Sequence, residues 1–115
     1  VCQKLLETFL LLSQLSRQLP ERKQHADKAQ EFGEAALENV VLCGDACMGA
    51  QVEFMLACVV AWKVYLGMKG GEDGGAEREG VRVLMGRRVD VLRAYGNLDV
   101  GWYEEQVRVY LRYLE

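Results

Sequence analysis

From Phe54 to Trp62 the chain reads FMLACVVAW, an unbroken apolar run whose nearest charges are Glu53 and Lys63, one at each end. A helix that is greasy on every side has to be covered on every side. The rest of the chain is therefore expected to wrap a central helix over 45–68. The flanking segments each carry one apolar stripe, as a cover requires. The predicted architecture is all-α: a single bundle of about five helices around the central one. It forms one domain over 1–115, with a flexible glycine-rich loop at 67–80.

Composition supports that reading. A chain of 115 residues, 50% of them hydrophobic, holds one core. A single proline and charges spaced three and four residues apart favour helices over strands. The net charge of -3 argues against a nucleic-acid surface, which needs a basic stripe to displace counterions. Arg82, Arg87, Arg88 and Arg93 form the one basic concentration. Glu77, Glu79 and Asp90 lie close by, so a solvated helix face accounts for it. The chain opens Val1-Cys2-Gln3-Lys4 without a basic segment and cleavage site, so no signal peptide is expected. Lacking an initiator Met, it reads as an excised domain or a processed chain. The apolar run is shorter than the roughly 20 residues a bilayer requires, and no membrane partner is expected.

Taken in order, Leu5, Leu6, Phe9, Leu12, Leu15 and Leu19 predict an amphipathic first helix. Leu10 and Leu11 broaden its stripe, which fits either contact with two neighbours or a partner helix. Pro20 breaks the pattern, and Glu21 to His25 is a solvated first turn or a connector. Ala29, Phe32, Ala36, Val40 and Cys43 then form the stripe of a second helix, flanked by Leu37 and Val41. Gly44 suits a left-handed helix stop and Asp45 the N-cap of the central helix. Glycines from Gly67 to Gly80 predict a flexible loop, because glycine loses most entropy on ordering. Val81, Leu84, Met85, Val89, Leu92 and Tyr95 mark a fourth helix that Gly96-Asn97 ends. Asp99 is the N-cap of a fifth, with a stripe of Tyr103, Val107, Tyr110, Leu111 and Leu114 and an expected Glu104–Arg108 pair.

No catalytic machinery can be assembled from these residues. His25, the only histidine, sits in a polar run without a nucleophile at suggestive spacing and is expected to face solvent. The glycine-rich stretch lacks the Gly-Lys-Ser/Thr ending of a phosphate cradle. Cys43 and Cys47 give a C-x3-C spacing, but structural zinc calls for a second pair, and cysteines in apolar patterns behave as small hydrophobes. No enzyme activity, metal or cofactor is expected. Trp102, Val109 and Tyr113 lie on a second face of the last helix, about 100° from its main stripe. That face is a candidate partner-binding surface. Leu10 and Leu11 form the second candidate.

Taken together, Cys2-Gln3 followed by Leu5-Leu6, the helix ending Val40-Val41-Leu42-Cys43, Cys47, and the run Phe54 through Trp62-Lys63-Val64-Tyr65 carry a resemblance. The chain resembles the aflatoxin-regulatory-protein domain of fungal zinc-cluster (Zn2Cys6) transcription factors. In that comparison Met68 to Gly80 matches a variable insertion, and Tyr95-Gly96-Asn97-Leu98-Asp99 matches a junction into the closing helix. Cys43 and Cys47 stand further apart than the family's close pair, and the four cysteines cannot form the zinc cluster itself. The resemblance implies the regulatory portion of a nuclear activator of a secondary-metabolite, mycotoxin-type gene cluster, with DNA contacted elsewhere in the parent. It implies no catalytic residues. The partner expected is a protein coactivator or a second copy of the domain. The competing expectation is a tetratricopeptide-like scaffold, whose repeat of roughly 34 residues the helix starts near 3, 45 and 99 do not match.

Overall fold

In a computed structural model, residues 2–96 and 98–115 form five α-helices joined by short turns. These are α1 (Cys2–Leu15), α2 (Leu19–Cys43), α3 (Ala46–Lys69), α4 (Gly75–Arg93) and α5 (Val100–Tyr113). Each helix packs on the next, and α5 returns onto α3. The predicted all-α bundle around a central helix is what forms. Val1, and Asn97 from the predicted stop after α4, lie outside the described residues.

Helix α3 occupies the centre because its sequence leaves no face for water. Phe54, Ala57, Cys58, Val59, Ala61, Trp62 and Leu66 are all buried. Its start is set as the sequence predicts: Gly44 takes φ 74°, and Asp45 accepts from the backbone N–H of Met48 at 3.0 Å. By length and composition alone α3 is apolar enough to cross a membrane. In this bundle its flanking charges are paired across to neighbouring helices. Glu53 accepts from Arg88 of α4 at 3.0 Å, and Lys63 meets Asp27 of α2 at 2.8 Å. These pairs hold α3 between α2 and α4.

Several expectations change once the helices are packed. Pro20 does separate the first two helices, and of the two readings of the polar run after it the solvated first turn is the one that forms, since the first turn of α2 needs no N–H at Pro20. In α1 the buried positions are Leu6, Leu10 and Ser13, whereas Leu12 and Leu15 face outward. The face is turned because Ser13 is drawn inward. Its hydroxyl donates to the Arg22 carbonyl and accepts from Trp62 Nε1, both at 2.6 Å. Arg22 completes the knot by donating to the last carbonyls of α1, Ser13 and Gln14, each at 3.2 Å. Those carbonyls have no partner within their own helix.

The stretch 67–80 is not one loop throughout. Helix α3 continues through Gly67 to Lys69, and α4 begins at Gly75 and includes Gly80. Only the turn between them is irregular, and there Gly71 adopts φ 98°. Tertiary anchoring overrides the weak propensity of this segment. Asp73 accepts from the Gly75 N–H at 3.1 Å, and Arg78 donates to the Leu114 carbonyl at 3.2 Å. At the other end of the molecule α2 outruns its cover, so Val41 and Leu42 are exposed and Cys43 leaves the predicted stripe. The unequal helices, with α3 touching α2, α4 and α5, do not make a regular stack of hairpins.

Candidate functional site

Between α1 and α5 runs an open groove of about 340 Å³ with α3 as its floor. One wall carries Leu11 and Gln14 of α1, the other Trp102 and Gln106 of α5, and Met55 and Cys58 lie below. The groove exists because α5 packs onto α3 and α4, which leaves Trp102 and Gln106 across from Leu11 and Gln14 of α1. Gln14 closes one end, donating to the Tyr110 hydroxyl at 3.0 Å. Asp99 fixes the start of the Trp102 wall by accepting from the Trp102 N–H at 3.3 Å.

The groove is uncharged at its base. Burial pushes the Cys58 thiol far above its usual range. Burial also raises the Tyr110 phenol, with Cys58 adding to the shift and the bond from Gln14 opposing it. Both groups stay neutral at ordinary pH. Glu7, at the rim, is the one charged residue of the lining, and it pairs only with its neighbour Lys4 at 3.5 Å.

The sequence candidates separate in the fold. Trp102 is 51% and Leu11 54% exposed, on opposite walls of this one groove. Leu10 is buried and lines the inner side of the same groove beside Leu11. Val109 is half-buried on the same flank of α5 as Trp102. Tyr113 is exposed at one edge, yet its ring packs against Trp62 and Tyr65, each 5.2 Å away between centroids. It closes the end of the bundle more than it opens a site. Sequence reasoning passed over Gln14, Met55, Gln106 and Tyr110. Gln106 was accessible to it, standing four residues from Trp102 and three from Val109 on one helical face.

The other chemistry-bearing residues are scattered. Cys43 is exposed at the end of α2, Cys47 and Cys2 are half-buried, and Cys58 is buried. Among the described residues no three His, Cys, Asp or Glu side chains stand together as a metal site. His25 does not simply face solvent: its ring stacks on Phe9 at 6.0 Å, and Phe9 stacks on Phe32 at 5.4 Å. It serves the α1–α2 packing.

Fold and site together define a small all-α bundle domain with an open groove, uncharged at its floor, beside its core. No family model matches the chain, and no curated protein or solved structure matches it.

Proposed function

We propose that this domain is a regulatory protein-interaction module whose α1–α5 groove receives an apolar helix of a protein partner. Following the resemblance in its helical pattern, the domain serves a fungal transcription factor that controls a secondary-metabolite gene cluster. It works in the nucleus, and another part of the parent contacts DNA. One observation carries the interaction reading: Trp102 and Leu11, both half exposed, face each other across a groove with an uncharged floor. Tryptophan is enriched among the residues that dominate binding energy, and a groove between two helices is a standard seat for a third.

Tethering tests the reading. The domain fused to an unrelated DNA-binding segment should change transcription of a reporter in a fungal host, and Trp102→Glu should abolish that change at equal protein level. A tethered domain that leaves the reporter at its baseline would overturn the regulatory role. An effect indifferent to Trp102→Glu would remove the groove from it.

A further inference from the structure

We infer that the outward ridge of α1, which meets the groove at Leu11, pairs with α1 of a second copy, so that the domain forms an antiparallel dimer about a twofold axis through Leu11 and Leu12. The inference rests on the interaction reading above and commits it to one occupant. Three observations lead to it.

The first is the pattern on α1. Thr8, Leu11, Leu12 and Leu15 form one outward ridge at helical spacing, and Leu15 is 70% exposed. A ridge of this spacing maps onto itself when a second helix runs antiparallel across it. Thr8 then faces the partner's Leu15, and Leu11 faces the partner's Leu12. An isologous contact requires that self-complementarity.

The second is charge. From Thr8 to Ser16 the chain has no charged residue, with Glu7 before this segment and Arg17 after it. Antiparallel pairing sets each Glu7 beside the partner's Arg17, giving two opposite-charge contacts, one at each end. Parallel pairing would instead set like charges together. Arg17 is exposed and makes no ion pair within the described residues, and Glu7 has only its neighbour Lys4.

The third is area. A 14-residue helix is about 21 Å long and 10 Å wide, too little on its own for a specific interface. Trp102 of α5, across the groove from Leu11, adds one side chain, and the footprint stays below the roughly 600 Å² per partner of the smallest standard interfaces. The dimer is accordingly weak, dissociating in the micromolar range.

Light scattering on the purified domain, from about 1 to about 100 µM, tests this directly. The mass should rise from 13.0 kDa towards twice that value. Leu15→Glu, on a side chain already mostly in water, should weaken the dimer at least about tenfold while circular dichroism stays unchanged. Glu7→Arg should weaken it about threefold, and Glu7→Arg with Arg17→Glu should restore it to within about twofold. Leu42→Glu, at the uncovered end of α2, should leave it unchanged. A monomer at every concentration overturns the dimer, as does a dimer that Leu15→Glu does not weaken. Failure of the double reversal to restore the dimer overturns the antiparallel arrangement. If the wild type stays monomeric while the tethered reporter still depends on Trp102, the self-association fails and the groove remains a seat for another protein.

Discussion

The two sides of α3 are finished differently. Towards α2 and α4 its neighbours are held by charge: Lys63 meets Asp27 and donates to the Gln30 side chain at 2.6 Å, and Arg88 meets Glu53. Towards α1 and α5 only neutral groups meet, in the Gln14–Tyr110 bond and in the bond from Trp62 to Ser13. The charged side ties its helices within the chain, with an open pocket of about 330 Å³ left beside Val41 and Val91. The neutral side leaves leucines and a tryptophan in water beside an open groove. Polar groups that find partners internally fix how the helices sit, whereas apolar groups left uncovered mark where something else is to bind.

Trp62 joins the halves of the neutral side and should give the largest effect. It is buried, its N–H reaches Ser13, and the Arg22 guanidinium lies 5.3 Å from its ring. Trp62→Ala should cost about 3–5 kcal/mol, which is a large share of the stability of a domain this size. Chemical denaturation measures it. A loss below about 1 kcal/mol would mean that the α1–α2 hairpin is not tied to α3 through this residue.

Gly33 comes next, because there α2 meets side chains of both α1 and α3. A Cβ there would stand 2.4 Å from the Leu56 side chain and 2.5 Å from that of Leu6. Leu56 is part-buried and can shift, but Leu6 is wholly enclosed and cannot. Gly33→Ala should therefore lower stability by about 1–3 kcal/mol, seen as a lower thermal midpoint. No change would show that the hairpin can slide on α3 to make room.

Alkaline pH acts on the floor of the groove. Above the ordinary thiol value of 9.0 the unfolded Cys58 loses its proton while the buried one keeps it. The unfolded state then binds fewer protons, so stability falls as pH rises, by about 1.4 kcal/mol per pH unit for one such group. Tyr103 and Tyr110, also raised by burial, add to the fall above their ordinary 10.0. Below pH 9 all three contributions are fully present. Cys58→Ala should delay the onset from near pH 9 to near pH 10 in a pH series of denaturation curves. An unaltered onset would mean that water already reaches the thiol through the groove.

How far the sequence foretold this depends on which physics fixed each feature. The central helix, Asp45 and Asp99 as N-caps, Gly44 as a stop and the stripe of Val81, Met85, Val89 and Leu92 were all legible, because each is set by residues within a few positions. The turned face of α1 was not, since it depends on Ser13 finding Trp62, 49 residues away. The helical start of α4 was hidden for the same reason: glycine propensity argued for a loop, and the contact from Arg78 to Leu114 lies 36 residues off. The predicted Glu104–Arg108 pair also gave way, with Arg108 turning to Glu105 and Glu104 to Arg93. Half of the site was visible as apolar residues without a clear place in a stripe. That Leu11 and Trp102 share a groove follows only from the packing of α1 and α5 around α3.

The smallest effect belongs to the charged side, and it sharpens the comparison most. Arg88 and Glu53 are each about one-third exposed, at 35% and 37%, so their attraction is screened by water. A double-mutant cycle of Glu53→Gln and Arg88→Gln should return a coupling below about 1 kcal/mol, and less at high salt. Trp102→Glu should likewise change stability by no more than about 0.5 kcal/mol, because its ring is half in water already. The two results together separate holding from binding. If the ion pair is weak in energy but its loss lets α4 shift on α3, seen as altered amide exchange along α4, then its contribution is register. If Trp102→Glu unfolds the domain, the flank of α5 is core, and the groove is a seam of the bundle with no partner to receive.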